Sequence, residues 1–112
     1  GIMTKHSDVP YIQHMLEAIE DIEESIGDLS KEEFVANKDA RDANIRRLEI
    51  IGEAVKNLSK EFREKNSEIE WNKIAGTRDK VIHNYFGVNL AIVWEIIKKD
   101  LPELKKKLKK IV

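Results

Sequence analysis

The chain has 112 residues, 41% apolar and 37% charged, with 20 basic against 21 acidic side chains, 5 Gly, 2 Pro and no cysteine. That length holds one domain, residues 1–112, around a single core, and the scarcity of helix breakers beside abundant Glu, Lys, Leu and Ile predicts an all-α fold. No apolar run reaches the length of a membrane span or forms a leader; the missing cysteines exclude disulfides, thiol nucleophiles and cysteine-ligated metals, and a net charge of −1 gives no whole-molecule signature of nucleic-acid binding.

Residues 1–7 are expected to be frayed, with Gly1 and Ile2, ahead of Met3, read as a remnant of cloning. Asp8 is positioned to cap a first helix that tolerates Pro10 in its opening turn. Ile12, Met15, Leu16, Ile19, Ile22 and Ile26 then make one apolar stripe at helical spacing, and Gly27 supplies a stop. Ser30 with Glu33 forms a capping box before a short piece through Phe34 and Val35.

A long helix is predicted over 39–58. Its main stripe is Leu48, Ile51, Val55 and Leu58, and Ala43, Ile50 and Ala54 form a second, shallower apolar face. Gly52 lies inside this helix, where glycine costs about 1 kcal/mol relative to Ala, a cost that close approach of another helix would offset. Two usable faces fit either a helix that also meets a second subunit or one buried centrally.

Residues 59–66 are polar and predicted to be irregular, with a short helical turn at most. Ser67 with Glu70 makes a second capping box, opening a helix over 69–85. Asn89 caps the next, with Leu90, Val93, Trp94 and Ile97 facing inward. Asp100 with Glu103 makes a third box, Pro102 in its first turn, before the stripe Leu101, Leu104, Leu108 and Ile111. The expected architecture is a compact antiparallel bundle of four to five helices joined by short loops.

The near-neutral total conceals a gradient. Residues 1–33 hold two lysines against nine acids, −7; residues 34–97 hold eleven bases against ten acids, +1; residues 98–112 hold seven lysines against Asp100 and Glu103, +5. Either the acidic and basic helices are solvated neighbours in the bundle, or the basic end helps to hold an anionic partner.

The helix over 69–85 breaks its own pattern. Its core stripe is Trp71, Ile74, Ala75, Val81, Ile82 and Tyr85, and the position between these is Arg78. A guanidinium stays charged, and burying it unpaired is costly. Arg78 therefore snorkels outward, pairs with an acid such as Glu53, or lines a cleft. Tyr85 falls within about 20° of Arg78 on a straight helix, whereas His83 falls about 140° away, so Arg78 and His83 converge only if the helix bends or ends near His83. Asp79 precedes His83 by four residues and can orient its ring. Elsewhere the signals are weaker. His6 lies in the frayed end, His14 reads as a surface or boundary residue, Trp71 and Trp94 read as core, and Glu49 with Glu53 share a helix face, where two carboxylates could act as acid and base or bind magnesium but read first as solvated or interface charges. The three histidines show no metal-ligand spacing.

The string Arg78-Asp79-Lys80-Val81-Ile82-His83-Asn84-Tyr85 resembles the Arg-x-x-x-x-His-x-Tyr signature of the HEPN superfamily, and within it the HepT-like toxins of HepT/MntA toxin–antitoxin pairs. Arg46-Arg47-Leu48-Glu49-Ile50-Ile51-Gly52-Glu53-Ala54 is similar to the Leu-Glu-x-Ile-Gly-Glu-Ala helix of that family. Trp71-Asn72-Lys73-Ile74-Ala75-Gly76-Thr77 is similar to its Trp-x-x-Ile-Ala-Gly lead-in, and Phe86-Gly87-Val88-Asn89 and Val93-Trp94 continue the pattern. The resemblance implies a homodimeric HEPN-like bundle and a metal-independent ribonuclease of the cytoplasm that needs no cofactor and no membrane. It implies Arg78 and His83 as catalytic residues at a dimer cleft, supported by Asp79. It also implies Tyr85 as the residue that receives AMP from a cognate MntA-type nucleotidyltransferase antitoxin. A different class of function stays open: a non-catalytic helical adaptor that docks such a nucleotidyltransferase. A plain helical scaffold without chemistry is the third reading.

Overall fold

The computed structural model describes residues 7–83 and 89–112, with residues 78–83 as backbone alone. Every regular element among the described residues is helical: α1 (Val9–Ile26), α2 (Lys31–Ala36), α3 (Lys38–Lys56), α4 (Lys60–Lys65), α5 (Trp71–His83), α6 (Leu90–Glu95), a π-helical turn (Ile96–Asp100) and α7 (Leu101–Ile111). The long members are α1, α3, α5 and the rod that α6 and α7 form through the π turn. Helix α3 is central, packed against α1 on one side and α5 on the other, and α7 lies against α1. The all-α bundle expected from composition is the architecture found.

Periodicity explains which faces meet. The α1 stripe Ile12, Met15, Ile19 and Ile22 is fully buried, with Leu16 at its edge. Leu48, Ile51, Val55 and Leu58 on the α3 side and Leu101, Leu104 and Leu108 of α7 close the same core. Such burial of a Leu or Ile side chain contributes about 1.5–3 kcal/mol each. Phe34, from the short α2, is fully buried and meets the Trp94 ring at a centroid distance of 5.3 Å. The second face of α3 divides: Ala54 is buried within the chain, Ala43 is half-buried, and Ile50 is exposed. Gly52 is buried on α3, the helix on which both α1 and α5 pack.

The helix ends follow side-chain chemistry, with three departures from the sequence-based expectation. Ser30 and Glu33 form their capping box: the Glu33 amide donates to the Ser30 hydroxyl (3.1 Å), and the Ser30 amide donates to the Glu33 carboxylate (2.9 Å). The Ser30 backbone N–H, and then its hydroxyl, hold the Glu33 carboxyl below its ordinary value. Gly27 closes α1 at φ +47°, a conformation open to glycine. Asn37 caps α3 and Asn89 caps α6.

Asp8 occupies the N-cap position of α1 without capping it. Its carboxylate instead accepts the Ser59 backbone N–H (2.7 Å) and hydroxyl (2.8 Å) across 51 residues. Ser59 in turn caps α4, a helix where an irregular segment was expected; the bond from Asp8 ties the starts of α1 and α4 together. Ser67 caps nothing, because α5 begins only at Trp71, with Glu70 as the residue entering it. Asp100 does not cap α7 either, because no break exists there: the chain passes through helical dihedrals from α6 to α7. The widened π turn, in which the Leu101 amide donates to the Ile96 carbonyl, sits just ahead of Pro102, whose ring would crowd an ordinary α turn.

Candidate functional site

Helix α5 carries the residues that the sequence singled out. Its first half is firmly held. Trp71 is 5% exposed, its indole N–H donates to the Asn66 carbonyl (3.1 Å), and its ring meets Phe62 at 6.1 Å. Ile74 and Ala75 pack on the core from the same helix, and the Thr77 hydroxyl donates to the Lys73 carbonyl. From this anchor α5 continues through Arg78, Asp79 and His83, so one uninterrupted helical backbone carries all three. Arg78 and His83 are separated by about 140° around such a helix and about 7.5 Å along it. Asp79 and His83 occupy an i, i+4 register, and His83 is the last residue of the described helix. Tyr85 lies outside the described residues.

Gly76, two positions before Arg78, is half-buried, yet a Cβ built there would meet nothing within 4 Å among the described residues. Packing among the described residues therefore does not demand a glycine at this point.

Beside α5 runs a groove of about 300 Å³, floored by Leu48, Ile51 and Ile74 and walled by Lys73 and Thr77 on one side and Lys107 on the other. A second groove, of about 310 Å³, lies on the far side of α3. It gathers His14, Arg46, Glu49 and Glu53 with Tyr11 and Asn57. Glu49 pairs with Arg46 there at 3.5 Å, and His14 is exposed at the boundary, as its sequence setting predicted. Trp71 is core as expected, whereas Trp94 is only half-buried and supports the Lys98 ammonium 5.3 Å from its ring centroid. Among the described residues no group of three or more His, Asp or Glu side chains is placed to hold a metal ion.

One polar group escaped the sequence reading. Asn44 is fully buried; its amide donates to the Ser25 hydroxyl (3.1 Å) and the Ala40 carbonyl (2.8 Å), and its oxygen accepts from Arg47 (3.0 Å). The signal was available, since residue 44 stands four positions from Ala40 and four from Leu48 on the core stripe of α3. Asn44 acts on the fold, fixing α1 against α3, rather than on the chemistry at α5.

Comparison with known proteins adds the context that geometry alone lacks. The sequence profile of a family described as ribonuclease HepT-like matches residues 15–111. A proposed RNase of Caldanaerobacter subterraneus subsp. tengcongensis is 53% identical over 103 residues, covering 92% of each chain. A proposed ribonuclease HepT of Thermococcus cleftensis is 44% identical over 107 residues, covering 96% of this chain and 97% of that one. A Methanocaldococcus jannaschii protein named as both a gamma-glutamylcyclotransferase and a proposed RNase is 51% identical over 102 residues. These are 91% of this chain but only 46% of that protein, so the chain spans about half its length. No solved structure matches with significance.

Proposed function

Because the chain belongs to the HepT-like ribonuclease family, we propose that it is a metal-independent endoribonuclease, the toxin half of a toxin–antitoxin pair, working as a homodimer in the cytoplasm. The observation that carries the reading is the ordered set Arg78, Asp79 and His83 on α5, two residues ahead of Tyr85, on a helix whose first half is locked into the core.

The residue types suit cleavage that uses the substrate's own nucleophile. The 2′-hydroxyl of RNA attacks the adjacent phosphorus, and the bond to the 5′-oxygen of the next nucleotide breaks, leaving a cyclic phosphate and a free hydroxyl. A histidine titrates near neutrality, so His83 can take the proton from the attacking hydroxyl or give one to the leaving oxygen. Arg78 can hold the phosphate with two parallel hydrogen bonds and offset the charge that grows in the transition state. Asp79, in i, i+4 register, orients the imidazole of His83.

A dimer places two such sets around one cleft and doubles the local positive charge, so a chain of net charge −1 can still bind phosphate there. The exposed Ile50 supports contact with a second copy. Control of the toxin falls to Tyr85: its hydroxyl attacks the α-phosphorus of ATP held by a cognate nucleotidyltransferase, pyrophosphate leaves, and the attached AMP brings bulk and negative charge to the cleft.

The test is RNA cleavage in metal-free buffer by the wild type and His83→Ala. The variant should lose roughly 10²–10⁴-fold in rate while keeping its circular dichroism spectrum and its oligomeric state. Equal cleavage by the two proteins removes His83 from the reaction; no cleavage by the wild type favours the adaptor reading. Incubation with the nucleotidyltransferase and ATP should add AMP to the wild type and not to Tyr85→Phe; a variant that still gains AMP refutes that site.

A further inference from the structure

The basic C-terminal end takes no part in the reaction just described, and the structure shows where its charge goes. Residues 98–112 carry seven lysines against Asp100 and Glu103. Among the described residues, one ion pair joins this end to the acidic α1: Lys105 to Glu23 at 2.7 Å. The Glu23 hydrogen bond, with Glu20 adding, holds the Lys105 ammonium above its ordinary pKa. Lys107 is occupied by the Glu68 carbonyl and by Glu103, and Lys98 by the face of Trp94. Lys99 makes an exposed pair with Glu95, of a kind worth little in water. Lys106, Lys109 and Lys110 are exposed and have no ion pair among the described residues. The acidic helix therefore does not neutralise the basic one.

These charges are gathered rather than scattered. Lys99, Lys106, Lys107 and Lys110 line one shallow groove of about 460 Å³ with Pro102 and Glu103, four ammonium groups against one carboxylate. Like charges within a turn or two of each other repel, so an anion in that groove would relieve the strain. The groove joins the one beside α5 through the shared Glu103 and Lys107, and Thr77 on the far wall of that second groove directly precedes Arg78. The basic surface itself is that of α7; the groove it opens into carries Lys73 and Lys107 against Glu70, Asp100 and Glu103 and ends at Thr77, at the threshold of the motif.

We infer that the lysine face of α7 is a track for the RNA backbone, a phosphate-contacting surface separate from Arg78 that leads a longer substrate onto α5. The inference rests on the ribonuclease reading. Lysines are point charges that bind phosphate without reading bases, which suits a surface that positions RNA rather than selects its sequence. An anionic membrane is the poorer partner, because a helix lying in a bilayer needs a free apolar face, and Leu101, Leu104 and Leu108 are buried in the core.

The experiment compares the full-length wild type with a triple variant carrying Lys99→Gln, Lys106→Gln and Lys110→Gln. Binding to a long, unstructured, 2′-O-methylated RNA, which lacks the nucleophile and cannot be cut, is followed by fluorescence anisotropy across a salt series. The affinity at low salt should fall by about tenfold or more, and the slope of log K against log salt should shrink by about 2 for three lost single-strand phosphate contacts. Cleavage of an unmodified dinucleotide, whose single phosphate is held at Arg78, should stay at the wild-type rate, and the matching triple Lys→Arg variant should keep wild-type affinity. A Gln variant with wild-type affinity and salt slope overturns the track while the ribonuclease reading stands. A wild type that neither binds nor cuts RNA overturns both. A Gln variant that loses binding to phosphatidylserine vesicles but keeps RNA binding overturns the track and assigns the face to membranes.

Discussion

The α1–α4 side and the α5–α7 side of this bundle are built from the same helical material but treat their polar groups in opposite ways. On the first side three sets of polar groups are turned against the chain itself. Asn44 is fully buried with three hydrogen bonds, the Asp8 carboxylate grips Ser59, and Ser30 and Glu33 satisfy each other. On the second side, Gly76 meets no side chain among the described residues, and Lys106 and Lys110 crowd a groove that holds a single carboxylate. Groups that are satisfied internally stabilise a fold; groups left facing outward at some cost in repulsion are available to a partner. The contrast says that stability and chemistry are housed apart, and substitutions should separate them.

The largest effect on the first side belongs to Phe34. Phe34→Ala should lower stability by about 3–5 kcal/mol, the cost of an emptied aromatic site plus its residual cavity, measured by urea denaturation. Cleavage per folded molecule should be unchanged; a specific loss of activity in folded protein would break the division. Asn44→Ala comes next. It strips Arg47 and Ser25 of a partner and should cost about 1–3 kcal/mol, read as a lower thermal midpoint, again without loss of cleavage. The smallest change in stability tests the other side. Gly76→Ala should stabilise α5 by up to about 1 kcal/mol, because alanine favours helix and its Cβ meets nothing within 4 Å among the described residues. The same variant should impair cleavage or self-association, measured by sedimentation, if a neighbour packs on Gly76. A Gly76→Ala protein that is both more stable and fully active would show that Gly76 serves no such contact.

Much of the framework was legible because it rests on local rules. The stripes of α1, α3 and α7 follow helical periodicity, and the box at Ser30 and Glu33 and the cap at Asn89 are fixed by neighbours three residues away or fewer. The misreadings share a cause. Asp8, Ser67 and Asp100 all carry capping chemistry, but a cap forms only where the helix begins, and tertiary packing decided those starts. Asp8 found a stronger partner 51 residues away in Ser59, α5 started late at Trp71, and α6 ran into α7 without a break. At the candidate site, the sequence placed Arg78, Asp79 and His83 on one helix, which the backbone bears out. The α7 groove was not legible, because summing charges along the chain cannot tell which lysines find acids in space.

The π turn at Ile96–Asp100 also sets the tolerance of this end of the chain to changes in length. A turn that closes through a bond spanning five residues instead of four is an α-helix that has absorbed one residue too many. It works as a phase corrector between two segments of a single rod. Val93 before it, Ile97 within it and Leu101, Leu104 and Leu108 after it are all buried in the core. Deleting one residue from the turn would return it to an ordinary α turn and keep the leucines on the core, whereas inserting another would rotate everything downstream by about 100°, carrying the leucines toward solvent and the lysines toward the core. The segment should therefore accept many replacements of Lys98 or Lys99, and the loss of one of them more readily than the gain of a further residue.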